Sequence, residues 1–185
     1  MSDTHPRPDR KTVRMKHYDY SLPGFYLVTV CVENRQCVFG EISDGVVHLN
    51  DAGLIAQTMW ERLTHHFSTV RLDSFVIMPN HMHGILELVT TDTIPEEIGN
   101  NPRIPLRFQA HMRQEAIKKA NPPLGQIVRT FKGSTTHDVR KGGRGDFEWQ
   151  RGYYESVLRT EKALDHARNY IINNPLTWME DTLRL

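Results

Sequence analysis

Apolar positions along the chain follow two periods, and these periods predict both strands and helices. Residues 24–32 are rich in aromatic and β-branched side chains, which is typical of a strand. Residues 51–66 place apolar side chains at helical spacing, directly after Asn50, a residue that caps helices well. The whole pattern predicts strands at 24–32, 37–39, 46–49, 70–78, 81–89 and 154–158, and helices at 51–66, 124–135 and 160–174.

The order of these elements predicts the fold class. Turn signals at Asp44-Gly45 and Pro79-Asn80 join neighbouring strands into hairpins, which favours an α+β domain with an antiparallel sheet and flanking helices. A ferredoxin-like core, which is a split βαβ arrangement, accommodates this order. We expect a single domain over residues 1–185, with a basic flexible arm at 1–17 and an inserted loop at 91–122.

Composition narrows the class of protein. The 185 residues are 38% hydrophobic and 24% charged, as in an ordinary globular domain. No apolar run approaches the roughly 20 residues that span a bilayer, and no secretory signal is visible at the N-terminus. The cysteines, Cys31 and Cys37, cannot build a disulfide framework. We therefore exclude membrane proteins and small secreted domains, and expect a cytoplasmic protein.

Charge is distributed unevenly, although the net charge is only +1. Residues 101–151 contain eleven basic and four acidic residues, and residues 1–17 are also basic. A polyanion responds to the local field and not to the net charge, so this distribution fits a nucleic-acid partner. A solvated surface with a basic loop explains the same charges equally well.

Two histidines form the first candidate site. On a strand, His81 and His83 project from the same face, about 7 Å apart along the chain, and can converge on one metal ion. The intervening Met82 then faces the opposite side, where we expect the core. The alternative is that both histidines are ordinary strand residues on a polar face.

The second candidate lies on the last predicted helix. Tyr170 and Asn174 are four residues apart and share one helical face, so a phenol nucleophile and an amide ligand could act together. Alternatively, Tyr170 packs on the sheet and Asn174 caps the helix. Tyr153 and Tyr154 compete for the role of nucleophile, but they lack a paired amide one turn away and lie in a predicted strand.

Other kinds of catalytic chemistry have little support in the sequence. It contains no GxxxxGK[ST] phosphate loop, no GxSxG elbow and no CxxC pair. The histidine pair combined with Tyr170 and Asn174 is the one set of residues that supports a catalytic mechanism, with a metal site beside a phenol nucleophile.

Five segments, in order along the chain, carry a family resemblance. They are GFYLVT at 24–29, MPNHMH at 78–83, IVRTFK at 127–132, WQRGYY at 149–154 and YIINNP at 170–175. On these segments the chain resembles the REP-associated tyrosine transposases, bacterial relatives of the single-tyrosine transposases among the HUH (histidine–hydrophobic–histidine) endonucleases. The resemblance covers most of the chain and leaves out 91–122.

The resemblance implies a function, a metal and a set of site residues. His81 and His83 would hold a divalent metal, Mg²⁺ or Mn²⁺, with Asn174 completing the site, and Tyr170 would be the catalytic nucleophile. The implied enzyme is a metal-dependent endonuclease and strand transferase that cuts single-stranded DNA near hairpin (REP-like) elements through a 5′-phosphotyrosine intermediate. It also implies a ferredoxin-like core, a homodimer, and a bacterial cytoplasmic protein that associates with the nucleoid when bound to DNA.

The basic segment supplies candidates for the DNA contacts that such an enzyme needs. The residues expected to contact the DNA backbone are Arg129, Lys132, Arg140, Lys141, Arg144 and Arg151.

Two other classes of function stay open at this point. A hairpin-binding module without chemistry would bind nucleic acid with a salt-dependent affinity that chelators do not change. A small metallohydrolase would use an activated water in place of tyrosine, and would leave no protein–DNA adduct.

Overall fold

The computed structural model describes Met15 and residues 18–89, 121–181 and 183. This part of the chain forms six strands, four α-helices and two short 3₁₀ segments. The strands and α-helices are β1 (Gly24–Cys31), β2 (Gly40–Ser43), β3 (Val46–Leu49), α1 (Asp51–Glu61), α2 (Leu63–His66), β4 (Val70–Ile77), β5 (His81–Leu88), α3 (Leu124–Lys141), β6 (Tyr154–Leu158) and α4 (Glu161–Asn173). The 3₁₀ segments are Glu33–Arg35 and Asn174–Glu180.

Four strands form an antiparallel sheet in the order β4-β5-β1-β6. Helices α1 and α2 lie between β1 and β4 in the chain, and α3 lies between β5 and β6. These two strand–helix–strand units interleave in the sheet, as they do in a ferredoxin-like split βαβ core. Strands β2 and β3 form a separate hairpin, and α4 is an additional helix after the core. The predicted α+β class and sheet are confirmed.

The two faces of the sheet are covered by different helices. Even-numbered side chains of the central strands, such as Val28 and Met82, lie in the main core with residues of α1 and α3. Odd-numbered side chains face α4, where a smaller core contains Ile85, Leu164, Ala167 and Ile171. This alternation follows from the two-residue period of a strand. It leaves the side of the sheet toward α4 free to carry polar side chains.

Gly84 is required by the close packing of a tryptophan against β5. The ring of Trp60, on α1, is fully buried and would collide with a Cβ atom at Gly84. Trp60 in turn packs edge-on against Phe131 of α3 at a ring-centroid distance of 5.2 Å. The sheet position next to His83 is therefore fixed from the core side.

The predicted strand at 37–39 is wrong, because β2 begins only at Gly40. The backbone of Phe39 bonds to two separate segments, accepting from Asn50 N–H and donating to the Pro79 carbonyl. Its ring packs 5.2 Å from that of Trp149, so it is an anchor in the core and not part of a ladder.

The helices differ from their predicted bounds at three places. The predicted helix at 51–66 is divided at Arg62, whose ψ of −11° ends α1. Helix α3 extends past residue 135 to Lys141. Helix α4 ends at Asn173, and the chain continues as a 3₁₀ helix that begins with Asn174 and Pro175.

Two of the sequence predictions concern segments that the structure does not describe. The expected arm at 1–17 lies outside the described residues except for Met15, and the expected loop at 91–122 does so except for Asn121 and Pro122. Within the described ranges, every helix is too short or too polar to cross a membrane.

Candidate active site

The two histidines of β5 lie together beneath helix α4. His81 and His83 are 0% and 2% exposed, and their Nε2 atoms are 3.1 Å apart. The outer nitrogens have hydrogen-bonding partners, since Nδ1 of His81 is 2.7 Å from Asn80 Oδ1 and Nδ1 of His83 is 2.7 Å from Thr29 Oγ1. The expectation that the pair shares one face of the strand is confirmed. The facing Nε2 atoms are the ones available to a ligand.

Burial determines the charge of both imidazoles. Desolvation lowers the pKa of each ring to about 3, and the Arg35 guanidinium also lowers that of His81. For His83, the His81 ring lowers the pKa further, whereas the Asp181 carboxylate raises it. Both rings are therefore neutral at pH 7, which is the form that binds metal ions.

Helix α4 brings Tyr170 to the histidine pair. The helix begins after Thr160, whose hydroxyl accepts from the Ala163 N–H, and it packs on the sheet through the small core. The Tyr170 hydroxyl lies 3.2 Å from His83 Nε2, although 42% of the residue is exposed. The phenol thus has one side against the buried pair and one side open to a substrate.

Asn174, one turn after Tyr170, is also part of this cluster. It is buried, and a hydrogen bond from its side chain lowers the pKa of the Tyr170 phenol. The Oδ1 atom of Asn174 is buried without a hydrogen-bond partner. A buried carbonyl oxygen with no partner is costly, and a cation would satisfy it.

The net effect on Tyr170 is in the opposite direction. Burial raises the pKa of the phenol most strongly, and the Asp181 carboxylate raises it further. The side chain therefore remains protonated at neutral pH in the absence of a nearby cation.

Asp181 completes the cluster, and the sequence analysis missed it. Its Oδ2 lies 3.5 Å from His81 Nε2, and its side chain is only 6% exposed. That oxygen has no hydrogen-bond partner, whereas Oδ1 accepts from the Leu183 N–H at 2.7 Å. Asp181 follows the 3₁₀ helix Asn174–Glu180, and no motif spacing connects it with the histidines.

These residues form a site that could hold a metal ion. The ligand atoms of His81, His83 and Asp181 all lie within 4.8 Å of one another. Two neutral imidazoles and a carboxylate suit first-row divalent ions. The unpartnered oxygens of Asp181 and Asn174 are the observation that fits a cation, since each is a buried acceptor without a donor.

A curated relative shows the family of this chain. No family model matches the chain. An uncharacterized protein of Haemophilus influenzae is 40% identical over 174 residues, which cover 94% of this chain and 92% of that protein. This chain belongs to the same family.

A solved structure gives the fold. It is a REP-associated tyrosine transposase bound to a REP hairpin, and it matches with a TM-score of 0.55 and 18% identity, over 91% of this chain and 74% of that one. The fold of this chain is thus similar to that of a REP-associated tyrosine transposase, as the resemblance implied.

Four of the six predicted DNA-contacting residues lie together on the other side of the sheet, where α3 packs. Arg129, Lys132, Arg140 and Arg151 line one open groove of about 1010 Å³, between α3 and residues 148–153. Aromatic side chains of Trp149 and Tyr153 line it too, so the groove combines positive charge with flat rings. The structure brings these four basic residues together.

Two of the four basic residues also have a structural role. Lys132 Nζ donates to the carbonyls of Gln150 and Gly152, at 2.7 and 2.9 Å, and Arg140 Nε donates to the Phe147 carbonyl at 3.0 Å. They hold the segment that forms the far wall of the groove.

The remaining two predicted contacts lie elsewhere. Arg144 lines a separate cavity of about 290 Å³ together with Glu33, Asp146 and Glu148, whereas Glu148 is the one acidic residue that lines the groove. Lys141 is exposed at the end of α3 and is not among the residues lining either cavity. The structure therefore does not group Lys141 and Arg144 with the other four.

Proposed function

We propose that this protein is a metal-dependent, single-stranded DNA endonuclease and strand transferase of the single-tyrosine HUH class. The observation that carries the proposal is the 3.2 Å contact between the Tyr170 hydroxyl and His83 Nε2, which supports a nucleophile beside a proposed metal ligand. The proposal takes residues 1–185 as one domain of this type. Hairpin DNA is the proposed substrate, because the transposase of similar fold was solved with a REP hairpin.

Tyr170 is the proposed nucleophile. Its phenolic oxygen attacks the phosphorus of a phosphodiester, a bond forms between that oxygen and phosphorus, and the bond to the 3′ oxygen breaks. The phenol loses its proton to water, which reaches the partly exposed side chain, and the leaving 3′ oxygen takes a proton from water. The 5′ end remains as a phosphotyrosine. A 3′ hydroxyl can attack that ester in the reverse direction, so strands are rejoined without ATP.

A divalent ion, Mg²⁺ or Mn²⁺, is the proposed cofactor. His81, His83 and Asp181 would hold it, and Asn174 Oδ1 is a fourth donor. When bound, it supplies positive charge that polarises the scissile phosphate and offsets the charge developing on its oxygens. The protein's own part is to keep both imidazoles neutral through burial and to hold Tyr170 at the edge of the site.

The groove beside α3 is the proposed DNA-contacting surface. Arg129 and Arg151 would contact backbone phosphates, while Tyr153 offers a ring on which an unpaired base can stack. Tyr154 follows Tyr153 directly and pairs with Thr29 in the sheet, and Thr29 bonds to His83. Tyr153 lines the groove and Tyr154 begins β6, so this dipeptide connects the groove with the strand beside Thr29.

The test is a covalent adduct assay with Mn²⁺ and labelled single-stranded hairpin DNA, followed by denaturing electrophoresis. We expect label to migrate with the wild-type protein, to disappear with a chelator, and to map to Tyr170. Tyr170→Phe should abolish the adduct while leaving DNA binding nearly intact. Tyr154→Phe is a matched control, since both tyrosines are 42% exposed.

The outcomes separate the candidate functions. An adduct that persists in Tyr170→Phe would refute the assignment of the nucleophile. Hairpin binding without any adduct would favour the module that lacks chemistry, and cleaved DNA without an adduct would favour a metallohydrolase.

A further inference from the structure

Asn80 is a fully buried amide that lies between β4 and β5, and it is not one of the residues assigned to the proposed chemistry. Its Nδ2 donates to two backbone carbonyls from distant segments, Arg35 at 3.1 Å and Leu183 at 2.9 Å. Its Oδ1 lies 2.7 Å from His81 Nδ1. All three bonds converge on one side chain directly beside the candidate metal ligand.

The two carbonyls determine which way the amide faces. A carbonyl oxygen only accepts hydrogen bonds, so the NH₂ group of Asn80 must face Arg35 and Leu183. The opposite orientation would place Oδ1 against two acceptors. Oδ1 therefore faces His81, and because Oδ1 only accepts, the hydrogen of that bond must be on His81 Nδ1.

We propose that Asn80 is a positioning residue that holds His81 in the Nδ1–H tautomer, with Nε2 unprotonated and directed at the metal site before any ion binds. The inference rests on the proposed function only in naming a metal as the ligand of Nε2. The tautomer itself follows from the contacts of Asn80. Outer hydrogen bonds of this kind orient metal-binding histidines and fix their tautomer.

The arrangement makes the two histidines unequal. The partner of His83 Nδ1 is the Thr29 hydroxyl, which can either donate or accept. Two unprotonated Nε2 atoms at 3.1 Å would repel each other, so without a cation we expect a hydrogen on His83 Nε2, with the Tyr170 hydroxyl 3.2 Å away as a second acceptor. Binding of an ion requires that this hydrogen leave Nε2 and that Nδ1 gain one, with the Thr29 hydroxyl turning to accept it. His81 therefore keeps its tautomer when an ion binds, and His83 changes its tautomer.

The direct test is an NMR measurement of histidine tautomers in metal-free, wild-type protein labelled with ¹⁵N-histidine. Correlations between the ring nitrogens and the ring carbon-bound protons distinguish the two neutral tautomers. His81→Gln identifies the His81 signals by their loss. We expect the Nδ1–H pattern for His81 and the Nε2–H pattern for His83. An Nε2–H pattern for His81, or an averaged mixture, would overturn the proposal, and this measurement needs no variant of Asn80.

Variants of Asn80 test whether the amide is the cause. Asn80→Ala removes the acceptor, and we expect His81 to lose its fixed tautomer and Mn²⁺ to bind about 10- to 100-fold more weakly, as for other outer-shell partners. Asn80→Asp keeps an oxygen beside Nδ1 and should restore the His81 tautomer, while its second oxygen meets the Arg35 and Leu183 carbonyls and should lower the stability of the fold. Thr29→Val, which acts on His83, should leave the His81 pattern unchanged. If Asn80→Ala retains both the tautomer and the wild-type affinity, Asn80 is not a positioning residue.

Failure of this inference can be distinguished from failure of the proposed function. A wild-type protein with His81 in the Nδ1–H form that neither binds Mn²⁺ nor forms an adduct would refute the function and support the role of Asn80. Mn²⁺ binding and adduct formation with His81 in the Nε2–H form would do the reverse.

Discussion

Helix α4 carries Tyr170, and Asn174 follows its last residue. The helix packs on the sheet through a core of its own, and a cavity in that core tests how the site is positioned. Ile171 is 2% exposed and packs with Ile85, Leu164 and Ala167. Ile171→Ala removes three buried carbons at the point where α4 meets the sheet. Substitutions of this type cost about 2–5 kcal/mol.

The same substitution in the main core is the matched control. Ile127 is fully buried on α3, on the opposite face of the sheet, and Ile127→Ala deletes the same atoms. The two variants should lose comparable global stability. Only Ile171→Ala weakens the docking of the helix that carries the nucleophile, although the Arg168–Asp73 ion pair at 2.7 Å still ties α4 to β4.

Hydrogen exchange read by mass spectrometry separates the two effects. If the loss of 2–5 kcal/mol falls on local opening of α4, its amides exchange between about 30-fold and a few thousand-fold faster, at roughly tenfold per 1.4 kcal/mol. We expect this acceleration in Ile171→Ala, confined to residues 161–173, together with a weaker covalent adduct at temperatures where the protein is folded. Equal acceleration of α4 in Ile127→Ala would show that the helix is not separately docked, and would refute the reasoning.

Three further predictions concern other parts of the structure. Gly84→Ala should destabilise the fold by about 1–3 kcal/mol in urea unfolding, because its methyl group meets a buried indole ring; unchanged stability would mean that the ring moves freely. Asp181→Asn should weaken Mn²⁺ binding, measured by calorimetry, by more than about tenfold, whereas the exposed neighbour Glu180, changed to Gln, should not; equal effects would remove Asp181 from the site. A hydrogen bond from Arg168 lowers the pKa of Asp73, so its stabilising contribution is present above the unfolded-state pKa and is lost as the pH falls from about 4 through the lowered value. Arg168→Gln should flatten that part of the stability profile in urea unfolding at pH 3 and pH 7, and an unchanged profile would count against the pair.

The histidine pair and the tyrosine were predictable because each depends on one local period. Strand alternation places His81 and His83 on one face, and a helical turn separates Tyr170 from Asn174. The contact between these two pairs depends on the tertiary structure, and it was expected only from the family resemblance. The roles of these four residues as metal ligands and nucleophile stay predictions, which the adduct and metal-binding experiments test.

Asp181 and Asn80 could not be predicted in the same way. Pro175 indicates the end of a helix, and the α-helix does end there, but the chain continues in 3₁₀ form and carries Asp181 back to the histidines. No pattern of apolar residues predicts this 3₁₀ helix. Asn80 was interpreted only as a turn residue, because its partners lie 45 and 103 residues away in the chain.

The groove beside α3 was predictable from the sequence only in part. Basic residues off the apolar stripe of α3 were visible in the sequence, but the wall formed by residues 148–153 was not. That wall depends on Lys132 and Arg140 bonding to its carbonyls, so two residues expected to contact DNA also build the surface. The expected homodimer stays a prediction.

The alternation of β1 has a consequence for how the protein can change over time. Val28 and Val30 face the main core, and Thr29 between them bonds to His83 on the other side. Val28 and Val30 therefore influence how much folded protein a cell retains, as do Phe25 and Leu27, which pack against the smaller core. Thr29 influences the histidine that it contacts. A single layer of backbone thereby separates the main core from the histidine pair, so a lineage can change Val28 or Val30 without replacing a residue that contacts the histidines.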